Sequence, residues 1–163
     1  PLEIVKSVRQ STRKPVIAKL SPGEDYMGIA EEILPYVDYI CCGNTIPRGL
    51  DIDPYTGHAF LAGKFGGLSG DAIRPVTMRM VHEIYSSFGE HVGIIAAGGI
   101  SDSGHIVSYA RAGASLYQIG TGLANKNALS TVFFFNSLWD EALKIVEKTG
   151  HDSIDELVGD NNV

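Results

Sequence analysis

Four short apolar runs, at 16–20, 37–42, 92–97 and 116–119, constrain this chain more than any other feature, because segments of helical periodicity alternate with them. Runs of this length, rich in Val, Ile, Leu, Tyr and Ala, read as buried parallel strands. Before the first run, Leu2, Val5 and Val8 share the face of a helix that ends near residue 8. Ser21-Pro22-Gly23-Glu24 makes a turn into a second helix, which sets Ile29, Ile33 and Leu34 on one side up to about Pro35. A third helix spans 71–88, with Val76, Met80, Val81, Ile84 and Phe88 as its buried stripe and Pro75 in the first turn, where its missing N–H costs little. Ser101 is the expected N-cap of a fourth helix running through Arg111, and Gly113 its C-cap. A last helix, 127–149, carries Val132, Phe133, Leu138, Leu143 and Val146 as an ordinary packing face and stops at Gly150 before a short polar tail.

Alternating strands and helices imply a parallel sheet with right-handed crossovers, which doubly wound and barrel folds both satisfy. The choice between them follows from where polar and glycine residues gather. Lys19, Gly43-Asn44-Thr45, Gly98-Gly99 and Gly120-Thr121 each stand at or near the C-terminal end of a strand, so every strand contributes to one face, as in a barrel. The expected fold is therefore α/β, a (β/α)8 TIM-barrel type. Four βα units and a closing helix make about half of one, in a single domain over residues 1–163. Half a barrel leaves two strand edges unpaired, so a partner segment is expected.

Two glycine signatures add chemistry: Gly98-Gly99-Ile100, and Ala112-Gly113-Ala114-Ser115 running into Gln118-Ile119-Gly120-Thr121. A phosphate held by backbone N–H groups needs a close approach of main chain to ligand, which a side chain would block, and a helix N-terminus nearby adds attraction for an anion. The alternative is a pair of tight turns with no ligand. Composition narrows the partners. Thirteen Lys and Arg against 19 Asp and Glu give a formal charge of −6, which disfavours broad nucleic-acid binding and attachment to anionic lipid. No apolar stretch approaches the roughly 20 residues of a membrane span. The two cysteines, Cys41 and Cys42, are adjacent within an apolar run, a spacing that suits neither a disulfide framework nor a metal motif, so no metal is expected and a reduced, cytoplasmic setting fits best. They read as buried core residues. The start at Pro1, without methionine or targeting pattern, reads as a fragment, a cleavage product or one chain of a split barrel.

With these residues placed, 15–123 resembles the C-terminal half of the dihydroorotate dehydrogenase family, FMN enzymes of pyrimidine synthesis, and their relative, the pyrimidine domain of dihydropyrimidine dehydrogenase. A weaker similarity continues through the last helix and Gly150-His-Asp-Ser-Ile154. The motifs that carry it are Lys19-Leu20-Ser21-Pro22, Gly43-Asn44-Thr45, Gly66-Gly67-Leu68-Ser69-Gly70 with Ala72-Ile73-Arg74-Pro75, Gly98-Gly99-Ile100, Ala112-Gly113-Ala114-Ser115 and Gln118-Ile119-Gly120-Thr121. Any one is weak; all in this order are specific. The resemblance implies that Lys19 reaches the flavin ring or its ribityl chain and that Gly43 lies against the flavin. Ser69 and Gly70 approach the cofactor at the mouth of the helix after them. Gly98, Gly99, Gly120 and Thr121 form the phosphate grip. Asn44 hydrogen-bonds the pyrimidine, with Thr45 assisting. The long segment 46–65 reads as a lid or partner-contact loop, and its Arg48, His58 and Lys64 as a solvated face.

The resemblance also implies an incomplete machine. In the family the base that takes the C5 proton of dihydroorotate sits in the N-terminal half, so no catalytic residue is expected here. The implied partners are dihydroorotate or orotate, the N-terminal half of the barrel and a second copy in a homodimer, with membrane contact arising only from an N-terminal extension. The alternatives are the pyrimidine-reducing domain of a dihydropyrimidine dehydrogenase and a non-catalytic half-barrel that binds a phosphorylated ligand.

Overall fold

The computed structural model describes residues 1–163. In chain order the elements are α1 (Leu2–Ser11), β1 (Ile17–Leu20), α2 (Tyr26–Ile33), β2 (Tyr39–Cys42), β3 (Ile46–Gly49), β4 (Gly66–Leu68), α3 (Arg74–Phe88), β5 (Gly93–Ala96), α4 (Ser103–Ala112), β6 (Leu116–Tyr117) and α5 (Ala128–Lys148). Four strands form one parallel sheet in the order β1-β2-β5-β6, and β3 pairs with β4 in a separate antiparallel ribbon. Because spatial order equals chain order, each crossover steps one place in the same direction, and the sheet has no switch point. That is the arc of a barrel. No helix is long and apolar enough to cross a membrane.

The two faces of the sheet differ, as the two-residue period of a strand requires. Leu20, Ile40, Cys42, Ile94 and Ala96 turn to the helical side and join one core with Ala30 and Ile33 of α2, Met80, Val81 and Ile84 of α3, Ile106 and Ala110 of α4, and Leu138, Ala142 and Val146 of α5. Ile17, Lys19, Cys41, Ile95 and Leu116 alternate with them on the opposite face. There Ile17 is 51% and Leu116 46% exposed. The convex side is clothed in helices, whereas the concave side is open along its edge strands, with Cys41 and Ile95 of the middle strands buried between them, as in half a barrel.

Several elements depart from the sequence reading. The N-cap of α4 is Asp102 rather than Ser101: its carboxylate accepts from the His105 amide at 3.0 Å, while Gly113 closes the helix in the left-handed conformation as expected. Thr77, not Val76, faces the core from α3, because Val76 falls about 100° round the helix from Thr77 and is 43% exposed. On α5 the packing face is Leu138, Ala142 and Val146, leaving Val132 and Phe133 57% and 64% exposed. β6 ends at Tyr117, although Gln118 continues the ladder through its amide to the Ala96 carbonyl at 2.8 Å. The tail is packed rather than merely polar: a 3-10 turn, Ile154–Leu157, buries Leu157, and the Gly159 amide bonds the Ala110 carbonyl at 3.0 Å. Residues 46–65 open with β3 of the ribbon, which no strand pattern announced.

Candidate functional site

The parallel ladder extends past its strands, and this levels their C-terminal ends. Gly43 donates to the Leu20 carbonyl (3.2 Å) and Ala97 to the Cys42 carbonyl (2.9 Å). Above these ends lies a cavity of about 490 Å³, within the range of small-molecule and cofactor sites. Lys19 of β1, Asn44 and Thr45 after β2, Ser69 and Gly70 after β4, Gly98 and Gly99 after β5, and Gly120 and Thr121 after β6 all line it. Nine of the ten residues singled out from sequence thus meet in one place. Ser101 and Gln118 line it as well, without having been singled out as ligand groups.

Gly43 is the exception. It is buried, and an added Cβ would lie 1.9 Å from the Ala97 carbonyl oxygen and 2.8 Å from Thr77 Cγ2. Its φ of +124° also disfavours any side chain. Glycine is required here by the neighbouring strand and α3, so the structure supplies a protein reason in place of a flavin.

At the far side of the cavity the amides of Gly98, Gly99, Ile100 and Gly120 donate to nothing in the chain. Backbone turns tightly around them. Gly99, at φ +64°, passes so close to the start of α3 that a Cβ would sit 2.7 Å from Arg74 Cβ. A Cβ on Gly98 would approach Thr77 Oγ1 at 2.6 Å. Gly120 differs, since a Cβ there would meet no protein atom within 4 Å. Nothing in the chain demands glycine at 120, whereas a ligand seated against its amide would. Unpartnered N–H groups around an open space, beside the N-terminus of α4, suit an anion such as phosphate.

At the near side, Asn44 Oδ1 accepts from the Thr45 amide at 2.9 Å, which leaves the carboxamide NH2 to donate elsewhere. Thr45 lies against the bare Cα of Gly67, where a Cβ would fall 2.1 Å from Thr45 Oγ1. The ribbon therefore seats Thr45, a contact no sequence pattern announced. Cys41 is a neighbour of Lys19 across β1 and β2, and its thiol donates to Gln118 Oε1 at 3.4 Å. Burial raises the Cys41 pKa against the pull of the Lys19 charge, and burial raises that of Cys42 further, so both thiols stay protonated. His105 sits one step outside: its Nδ1 accepts from the Ser101 amide (3.3 Å) and its Nε2 faces Asp102 Oδ2 (3.3 Å). Arg48, His58 and Lys64 are exposed on the segment 46–65 and do not line this cavity. No group of three or more His, Cys, Asp or Glu is placed to hold a metal.

Residues 1–140 match the model of the dihydroorotate dehydrogenase family. Among curated proteins, the chain is 34% identical over 158 residues to the catalytic subunit of dihydroorotate dehydrogenase B (NAD(+)) of Staphylococcus carnosus, covering 96% of this chain and 49% of that protein. It is 35% identical to the same subunit of Pyrococcus furiosus and of Methanocaldococcus jannaschii, again over 96% of this chain and 50% and 49% of theirs. The chain spans about half the length of the curated relatives it matches. A family match over most of its residues, with parallel strands forming the arc of a barrel, establishes that this chain belongs to the dihydroorotate dehydrogenase family.

Proposed function

We propose that this chain supplies the FMN-phosphate grip and part of the pyrimidine site of an enzyme that oxidises dihydroorotate to orotate in pyrimidine biosynthesis. The observation that carries the reading is the cavity itself, where unpartnered amides at Gly98, Gly99, Ile100 and Gly120 face a space that nothing in the chain requires to be empty beside Gly120. Bound FMN supplies the hydride acceptor for C6 of dihydroorotate while the C5 proton passes to a base.

The residues present divide this work. Gly98, Gly99, Gly120 and Thr121 bind the phosphate through main-chain N–H groups and the Thr121 hydroxyl. Lys19 presents a fixed positive charge toward the flavin, favouring electron density on its reduced form, and Ser69 and Gly70 bring backbone close at the mouth of α3. Asn44 and Thr45 offer the donors and acceptors that a pyrimidine ring complements. None of them is proposed as the base, which belongs to the other half of the barrel. That half is the primary partner of this chain, with a homodimer and a cytoplasmic setting as parts of the same reading. The names of the relatives favour NAD(+)-linked electron transfer here too.

The test uses the complete barrel. Flavin absorbance in the purified protein, released as FMN on denaturation, with turnover of dihydroorotate, is the expected result. Turnover of uracil with a nicotinamide cofactor in place of dihydroorotate would move the chain to the pyrimidine-reducing relative. A colourless, inactive protein that still binds inorganic phosphate would make it a non-catalytic binder.

A further inference from the structure

Behind the phosphate side of the cavity stands a buried side chain that does not line it. Tyr109, on α4, has 0% exposure, and its hydroxyl donates to the Gly98 carbonyl at 2.6 Å, with the Arg74 carbonyl at 3.4 Å. The Gly98 carbonyl and the Gly99 N–H belong to one planar trans peptide, so they point in opposite directions. Drawing the carbonyl inward onto Tyr109 turns the Gly99 N–H outward, and that N–H has no acceptor in the chain. From this coupling we infer that Tyr109 is a positioning residue, which orients the Gly98–Gly99 peptide so that its N–H faces the phosphate of a bound ligand.

Two successive glycines make such a prop necessary. Neither carries a Cβ to bias its dihedrals, so the peptide between them can rotate at little cost. A buried hydrogen bond selects one orientation before the ligand arrives, which spares the ordering cost at binding. The donor is also constant, because burial pushes the Tyr109 hydroxyl pKa up to about 12, and it keeps its proton across the physiological range. Nearby Thr77, fully buried, fills with its Oγ1 the space where a Gly98 side chain would go. Thr77 blocks a larger residue, and Tyr109 fixes the glycine that remains.

The inference rests on the proposed phosphorylated cofactor, and the test separates the two. In the full-length protein, Tyr109→Phe keeps the ring and removes the hydroxyl; Tyr109→Met, also lacking the donor, guards against a folding defect peculiar to phenylalanine. FMN and riboflavin affinities are measured side by side, together with 15N relaxation of the Gly99 amide in the flavin-free protein. The expected result is about a fivefold loss of FMN affinity, unchanged riboflavin affinity and a lower order parameter at Gly99, whose peptide is then free to rotate. A purely structural role would weaken both flavins alike. An unchanged ratio of FMN to riboflavin affinity, or an unchanged order parameter at Gly99, overturns the inference. A wild-type protein that binds neither flavin overturns the cofactor reading alone, and the order-parameter comparison then decides the role of Tyr109.

Discussion

Alanine at Gly120 would meet no protein atom within 4 Å, whereas at Gly43 its Cβ would lie 1.9 Å from the Ala97 carbonyl oxygen. The two substitutions should therefore fail in different ways. Gly43→Ala forces backbone apart at a left-handed residue and costs about 3 kcal/mol or more of stability. Gly120→Ala changes stability by no more than about 0.5 kcal/mol but intrudes on the proposed ligand, weakening FMN about tenfold or more, some 1.4 kcal/mol. Thermal unfolding and a flavin titration on each variant check both statements, and an unaltered FMN affinity in Gly120→Ala would remove that residue from the site. The thiols give a second residue-scale prediction. With both pKa values raised by burial, iodoacetamide should label neither Cys41 nor Cys42 near neutral pH in the folded protein. As pH rises Cys41 should react first, because the Lys19 charge opposes the upward shift there. Lys19→Met removes that opposition and should slow Cys41 labelling at every alkaline pH, read by mass spectrometry.

The first helix shows how an element with no fully buried residue is still held. Val5 packs half-buried against the core and Lys6 lies over the Tyr36 ring; the polar tie is Arg9, which donates through Nε to the Tyr36 carbonyl at 3.1 Å and pairs through its guanidinium with Asp38. Asp38 also accepts from the Val16 amide at 2.7 Å, and that bond first, then Arg9, holds its pKa below the usual carboxylate value. A depressed folded pKa stabilises only while the carboxylate is ionised. The contribution is complete above the unfolded value near 3.9 and fades as pH falls through the lower folded one. Helical signal from α1 should accordingly weaken in acid, and Asp38→Asn should show that weakening already at neutral pH. Circular dichroism of the two proteins against pH tests it; superimposable curves would rule out the tether. How much of each element was legible follows from the range of its causes. The strands declared themselves through local apolar runs, and the cavity glycines through their place after those runs. The ribbon did not, because Ile46 pairs with Leu68 far along the chain and its Pro47 lowers strand propensity. α5 misled for another reason: it is apolar on more than one side, so periodicity alone could not say whether Phe133 or Leu138 meets the core. Gly43 and Tyr109 depend on partners, Ala97 and Gly98, that only the assembled fold supplies.

At the scale of the molecule, the concave face sets what the chain needs. Its sheet ends in two strands, β1 and β6, each with one unpaired side, and an exposed parallel edge is both costly and prone to mispairing. Ile17 and Leu116 stand on that face at 51% and 46% exposure, where the interior of a closed barrel is filled by packed side chains. The same residue should then have opposite sensitivities in two contexts. In the 163-residue chain alone, Leu116→Lys places a charge where water already reaches, so the melting temperature should stay within a degree or two of the parent and solubility should rise. In the complete barrel the lysine would be shut among apolar side chains without a partner, a loss of several kcal/mol. Thermal unfolding of the substitution in both contexts decides the matter. Equal tolerance would mean that the concave face stays open in the assembled protein, and that the other half docks elsewhere than on β1 and β6.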